Sequence, residues 1–297
     1  LKRAGNVIDI PLKLCYAAKA MSTMGILRAV KDAGCDIEVN SGGELWKALK
    51  AGFRGDQINF NGNSKEVWEL ELAISNDIFA IQVDSLYELS LIEETAKHLE
   101  RPANVSLRLV PEIKSATHSG LQTALLSSKF GMMPDEAFCA FAEYKESPHL
   151  NLNGIHLHIG SQNPDPEAYA EAFRMLTDSM MRIRDSAGTK LQHVNLGGGF
   201  PVRYIQDEPL SLNFPKERRD MFSADFEPAA AVRNAWTEAK RFADDCGSSD
   251  IFDGLTLVLE PGRSVIADAG ICLTAVKNLK TRPVTETENQ QLANDHW

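Results

Sequence analysis

The feature that most restricts the fold is an alternation. Eight short runs rich in β-branched and other apolar residues recur along the chain: LCYAA (14–18), CDIEVN (35–40), QINFN (57–61), IFAIQV (78–83), VSLRLV (105–110), GIHLHI (154–159), HVNL (193–196) and LTLVLE (255–260). Each is bounded by Gly, Ser, Asn, Asp or Pro. Most are followed by a stretch whose apolar residues fall at i, i+3 and i+4, the spacing of a helix with one buried face. GELWKALKAG, SKEVWELELAIS, SLYELSLIEETAKHLE and PEAYAEAFRMLTDSMMRIRDSAG are the clearest. Ser or Asp stands near their starts, where a side-chain oxygen can accept from the unpaired N–H groups of a first helical turn. Strand alternating with helix implies a parallel sheet. Eight such units in about 255 residues match the size and strand number of a closed (β/α)8 TIM barrel, an α/β fold. The rival, a doubly wound open sheet, usually carries GxGxxG after its first strand, and none follows here.

Two stretches break the repeat. Residues 200–226, rich in proline and charge, read as a long functional loop or an insertion. After EPGRSVIADAG the pattern changes: ICLTAVKNLKTRPV reads as one or two antiparallel strands, and the polar TETENQQLANDHW follows. The expectation is a barrel over 1–270 and the beginning of an incomplete C-terminal β-domain over 271–297.

At 297 residues, 43% hydrophobic and 24% charged, the chain has enough apolar material for a large core. A net charge of −10 and a pI near 5.3 argue against nucleic acid or an anionic membrane surface as partner. A small-molecule ligand is the expectation instead. The five cysteines, Cys15, Cys35, Cys139, Cys246 and Cys272, form no CxxC and no Cys/His cluster. Neither a disulfide framework nor a zinc site follows, and reduced thiols fit a cytoplasmic protein. No run approaches the ~18 apolar residues of a membrane span, and LKRAGNVIDIP is not a signal peptide. It also lacks an initiator Met, so a fragment is expected.

In a barrel of this kind the active site lies at the carboxyl ends of the strands, and the loops after strands seven and eight commonly hold phosphate. After the first strand stands Lys19, read either as a solvated loop residue or as an amine kept for covalent chemistry. After the seventh come Gly197, Gly198 and Gly199, whose missing side chains let backbone N–H groups approach an anion. After the eighth comes EPGR, with Glu260 ending the strand and Arg263 a cation for phosphate or carboxylate. In HLHIGS, His156 and His158 alternate at period two and share a face. No carboxylate or cysteine sits nearby at ligand spacing, so no metal is expected. An imidazole stacked on a flat ligand, with the Ser161 hydroxyl on a phosphate, suits the same residues better. Amine, carboxylate, imidazole, hydroxyl, arginine and glycine loop are the set that pyridoxal 5′-phosphate requires. Its aldehyde needs a lysine, its phosphate an anion site, and its ring nitrogen a partner that sets its pull on electrons.

With these residues in place the chain resembles the pyridoxal-phosphate amino-acid decarboxylases built on an alanine-racemase-like barrel, and among them the diaminopimelate branch. The matching stretches are YAAKA (16–20), DIEVNSGGEL (36–45), GNSK (62–65), VDSLYEL (83–89), THSGLQT (117–123), SKFGM (128–132), GIHLHIGSQ (154–162), NLGGGF (195–200) and EPGRSVIADAG (260–270). The resemblance implies that Lys19 binds the cofactor aldehyde and that His158 stacks on the ring. It places Ser161, Gly197, Gly198, Gly199, Gly262 and Arg263 at the phosphate end, gives Arg263 a reach to substrate, and sets Glu260 against the pyridine nitrogen. Asp36, Glu44 and Arg108 fall where the family lines the site with further charge.

A carboxylate at the ring nitrogen keeps it protonated and makes the ring a strong electron sink, which favours decarboxylation over the racemisation of arginine-bearing relatives. The implied activity converts meso-diaminopimelate to L-lysine in a cytoplasmic homodimer with sites at the interface. Ornithine, lysine, arginine or another amino acid are the alternative substrates of the same family. A catalytically inactive barrel that binds a partner, or a phosphate-sugar enzyme, are alternatives of other classes, and the last leaves Lys19 and His158 without a role. Two residues depart from the family, Met21 for a usual Asn and Ala124 for a usual Gly. The resemblance also implies a partial chain. The family's first strand and helix, and a β-domain supplying a cysteine–aspartate pair and a tyrosine to the partner's site, lie outside it. Little catalysis is expected from this piece alone.

Overall fold

The computed structural model describes residues 1–6, 8–110, 130–204, 225–271, 273–283 and 294–296. Eight parallel strands close into a barrel in sequence order: β1 (Leu12–Ala17), β2 (Asp36–Val39), β3 (Ile58–Phe60), β4 (Ala80–Val83), β5 (Ala103–Arg108), β6 (Leu150–His156), β7 (His193–Asn195) and β8 (Thr256–Leu259). Leu12, Lys13 and Leu14 of β1 pair with Leu257, Val258 and Leu259 of β8 and close the ring. The helices between them are α1 (Met24–Asp32), α2 (Gly42–Ala51), α3 (Val67–Ser75), α4 (Leu86–His98), α5 (Pro134–Glu143), α6 (Pro166–Ala187) and α7 (Pro228–Asp245), followed by the short α8 (Arg263–Ile266). The (β/α)8 barrel that the alternation implies is the fold.

Local chemistry sets the helix ends. Ser41 and Ser85 cap α2 and α4 by accepting the N–H of Glu44 and Glu88. Asp165 caps α6, which starts on Pro166 and ends at Gly188 in the left-handed conformation. Most outward strand residues are aliphatic and buried. Ile37, Ile58, Ile81, Leu107, Ile155, Val194 and Leu257 join Leu27, Leu45, Leu70, Leu89 and Phe173 of the helices in one apolar layer.

The inward residues are different. Side chains alternate across a strand, and the positions facing the barrel axis carry Lys13, Glu38, Asn59, Gln82, Ser106, His156, His193 and Asn195. The barrel is therefore filled by a polar column inside an apolar sleeve, in which the side-chain amides of Asn59, Gln82 and Asn195 are hydrogen-bonded.

The structure corrects one expectation and narrows another. Strand six begins earlier than GIHLHI and ends at His156, so His158 lies beyond it, in the loop. ICLTAVKNLKTRPV supplies one strand, β9 (Thr281–Pro283), and the described residues 271 and 273–280 before it carry no regular structure. Its antiparallel partner β10 (Asn294–His296) comes from the polar tail. The chain divides into two compact units, Leu1–Ala267 and Asp268–Trp297. THSGLQT, Ala124, the beginning of SKFGM, residues 205–224 of the 200–226 loop and Cys272 lie outside the described residues. No helix among the described residues is long and apolar enough to cross a membrane.

Candidate active site

The carboxyl ends of β1, β2, β3, β7 and β8 converge on two buried carboxylates. Glu260, one residue past β8, accepts on Oε1 from the side-chain amides of Asn59 and Asn195, the latter at 2.6 Å, and on Oε2 from Asn61 at 2.9 Å. Glu38 of β2, wholly buried, accepts on Oε1 from Asn40 at 2.6 Å and from Asn61 at 2.7 Å. Burial, and after it the charge of Glu38, push the Glu260 carboxyl up to about 7. Lys19 and the donating amides of Asn195 and Asn61 act the other way.

Lys19 sits in a single 3-10 turn, Ala18–Ala20, directly after β1. Its Nζ is 3.8 Å from Glu38 Oε1, and its side chain remains 56% exposed, so a cation paired with a buried acid reaches into the open mouth. The turn is locked against the loop after β8. The Ala17 N–H donates to the Pro261 carbonyl at 3.0 Å, and a Cβ on Gly262 would meet Ala17 Cβ at 3.0 Å and Ala20 Cβ at 3.3 Å.

The loop after β7 fits only glycine. A Cβ on Gly197, at φ +66°, would strike His158 Nδ1; one on Gly198 would strike the Glu260 carbonyl; one on Gly199, at φ +85°, would strike the Gly160 carbonyl. This close packing lets the Gly198 N–H donate to His158 Nδ1 at 3.3 Å, which fixes the ring beside the loop. Burial, reinforced by Lys19 and Arg108, holds His158 well below the usual imidazole range, so the ring is neutral. Across the mouth an Arg263 guanidinium N–H donates to the Tyr204 hydroxyl at 3.2 Å.

Lys19, His158, Gly197, Gly198, Gly199, Glu260, Gly262 and Arg263 thus share one mouth of the barrel. Ser161 lies half-buried in the loop between Gly160 and Gln162, next to Gly199. Arg108 ends β5 in the same interior, 3.9 Å from Asp84 and over the Phe130 ring. Glu44 belongs to the rim: it accepts the Asn40 N–H at 2.8 Å in the first turn of α2, and burial raises its carboxyl.

Asp36 is not brought to the site. It opens β2 at the opposite end of the barrel, where it pairs with Lys13 at 2.6 Å and accepts from Gln57. The acid facing Lys19 is Glu38, two residues on and therefore on the same face but one step nearer the mouth. Sequence reading also missed Asn59, Asn61, Asn195 and Gln82, whose amide donates to Asn59. Their signal was a polar residue at every second position of otherwise aliphatic strands. His156 is buried 3.8 Å from Glu260, with no hydrogen-bond partner among the described residues on either ring nitrogen. Among the described residues no group of three or more His, Cys, Asp or Glu side chains could hold a metal.

An exposed amine, a backbone cradle that any Cβ would fill, and buried polar atoms without partners among the described residues, Glu38 Oε2 and both His156 nitrogens, suit a flat, phosphorylated aldehyde. The family model described as pyridoxal-dependent decarboxylase, pyridoxal binding domain, matches residues 1–267. The chain belongs to this family. It is 34% identical over 275 residues to a diaminopimelate decarboxylase of Methanocaldococcus jannaschii, covering 92% of this chain and 58% of that one. With the Bacillus subtilis diaminopimelate decarboxylase it shares 32% over 285 residues, 95% of this chain and 60% of the relative. The crystal structure of the M. jannaschii enzyme in complex with L-lysine superposes with a TM-score of 0.72 at 33% identity, over 89% of this chain and 56% of that one. The chain spans about 60% of the length of the curated relatives it matches.

For this pyridoxal-dependent decarboxylase barrel, Gly198→Ala is expected to cost roughly 1–3 kcal/mol of stability, read as a lower urea midpoint. The added methyl meets backbone, the Glu260 carbonyl, and has no flexible side chain to displace.

Proposed function

We propose that the chain is the barrel of an amino-acid decarboxylase that uses pyridoxal 5′-phosphate and acts on meso-diaminopimelate, releasing L-lysine and CO2. One observation carries the reading: a buried carboxylate, Glu260, faces the same mouth as an accessible lysine that is paired with a second buried carboxylate. The similarity to diaminopimelate decarboxylases supports the substrate.

Lys19 would hold the cofactor aldehyde, with Glu38 Oε1, 3.8 Å from its Nζ, positioned to take a proton from its ammonium. The neutral His158 imidazole offers a flat, uncharged face to the ring, held by the Gly198 N–H. The amides of Gly197, Gly198 and Gly199, with Ser161, Gly262 and Arg263, hold the phosphate, and Arg263 also reaches substrate. Glu260 holds a proton on the ring nitrogen by opposite charge, and its three asparagine donors stabilise the anion needed for that. When bound, the cofactor supplies an electron sink for the pair left as CO2 departs. The buried wall behind Glu38 and Glu260 keeps water from that charge. Residues 1–270 form the cofactor-binding barrel and 271–297 begin a β-domain. The working form is a cytoplasmic homodimer.

The test is a visible spectrum with added pyridoxal phosphate, then borohydride and peptide mapping, then, with a full-length chain, CO2 release from meso-diaminopimelate, ornithine, lysine and arginine. A band near ~420 nm, an adduct on Lys19 and preference for diaminopimelate are expected. Release from another amino acid would correct the substrate. A folded protein with no adduct would overturn the reading in favour of a binding protein.

A further inference from the structure

We propose that Asn61 is a positioning residue whose single side-chain nitrogen yokes Glu38 and Glu260, holding the first against Lys19 and the second as an anion. The two N–H bonds of Asn61 Nδ2 go to different carboxylates, Glu38 Oε1 at 2.7 Å and Glu260 Oε2 at 2.9 Å. Asn61 is the one described residue that donates to both. Asn40 serves Glu38 alone, and Asn59 and Asn195 serve Glu260 alone. Two buried like charges repel in a low-dielectric interior, and a dipole whose positive end points at both lowers the cost of keeping them adjacent.

The backbone around Asn61 is built to hold it still. Its N–H donates to the Val39 carbonyl at 2.7 Å. The next residue, Gly62, has φ +98°, and a Cβ there would meet the Asn40 carbonyl at 2.7 Å. The Gly62 carbonyl accepts from the ammonium of Lys65 at 2.6 Å, which is itself buried and also bound to the Gln82 carbonyl and to Glu88. The buried lysine therefore anchors the loop on which the yoke is mounted.

The proposal deepens the reading of Lys19 and Glu260 as cofactor ligands and rests on it only for its effect on the reaction. Among the described residues, the charged and titratable groups around the two acids are Lys19 and Cys15 from β1 and its turn, Glu44 from α2, Arg108 from β5, His156 and His158 from β6 and its loop. None of them is altered by a change at Asn61. A hydrogen bond to an ion is worth about one pH unit of its proton affinity. Asn61→Ala is thus expected to make Glu260 harder to ionise by about that much, and Asn61→Ser, which keeps one donor, by less.

Two measurements on the full chain read this. In cofactor-free protein, stability falls from about pH 4.5, where the unfolded carboxyl titrates, until the folded Glu260 has lost its proton near 7; the upper end of that fall should move up by about one unit in Asn61→Ala. In the holoenzyme the acid limb of the rate profile should move by the same amount, with kcat changing more than KM. A purely structural loss would lower stability equally at all pH, and that result, or an unmoved curve in a folded variant, overturns the proposal. If Asn61→Ala does not fold, Asn61→Ser decides by the same criterion. A shifted stability curve with an unmoved rate profile supports the yoke and removes Glu260 from the reaction.

Discussion

With Lys19 replaced by alanine, the protein is expected to form no borohydride-trapped adduct with pyridoxal phosphate and to release CO2 at least about 10³-fold more slowly. The expectation rests on the absence of a substitute. Among the described residues, Lys65 is buried and bound to two carbonyls and Glu88, and Lys13 lies at the opposite end of the barrel with Asp36. Nor can the chain shift to bring another amine forward, because the turn bearing Lys19 is fixed by Pro261, by Gly262 and by the Tyr16 hydroxyl donating to the Met21 carbonyl. Lys19→Arg separates the two properties of the side chain. The guanidinium keeps the cation facing Glu38 but stays protonated and cannot add to an aldehyde. It should retain the fold and lose the adduct. An adduct on another lysine of Lys19→Ala, or turnover within tenfold of the parent, would move the chemistry elsewhere.

Fold and site were legible to different depths for one physical reason. An alternating strand–helix pattern is a local signal, and LCYAA, CDIEVN or LTLVLE announce strands whatever surrounds them. Lys19, Glu260 and the 197–199 glycines were legible because they punctuate strand ends, where side chains leave the apolar layer. What escaped was set by how eight strands close. DIEV offers two acids on the same face, and only the barrel's register decides that Asp36 meets Lys13 at one end while Glu38 meets Lys19 and Asn61 at the other. Likewise INFN, IQV and HVN each look like a strand with a stray polar residue. Their amides become a network only when β3, β4 and β7 are wrapped around one axis and all reach Glu260, directly or through Asn59. The antiparallel partner of the TRP strand was missed because its sequence, NDH, is polar and exerts no periodic signal.

Glu260→Gln should act in opposite directions on turnover and on stability. Loss of the anion removes the charge that holds a proton on the cofactor's ring nitrogen, and a fall in kcat of about 10²-fold or more is expected. In cofactor-free protein the same change should stabilise, and only at higher pH. The Glu260 carboxyl sits at about 7 in the folded protein against an ordinary 4.5, so the folded state binds its proton more tightly than the unfolded state does. That contribution is complete below about pH 4.5 and is lost as pH rises through 7. A glutamine, neutral at every pH, escapes the loss. At pH 5 the two proteins should therefore melt within a degree or two of each other. By pH 8 the glutamine variant should be ahead by up to about 3 kcal/mol, less whatever is forfeited where the new amide faces the Asn61 donor. Melting curves taken between pH 5 and pH 8 measure the divergence. Its presence together with slow turnover would identify Glu260 as a group kept against the stability of its own fold for the charge it supplies. Parallel curves would mean that the carboxyl ionises as easily in the barrel as in water, and the three asparagine amides would then be sufficient to solvate it.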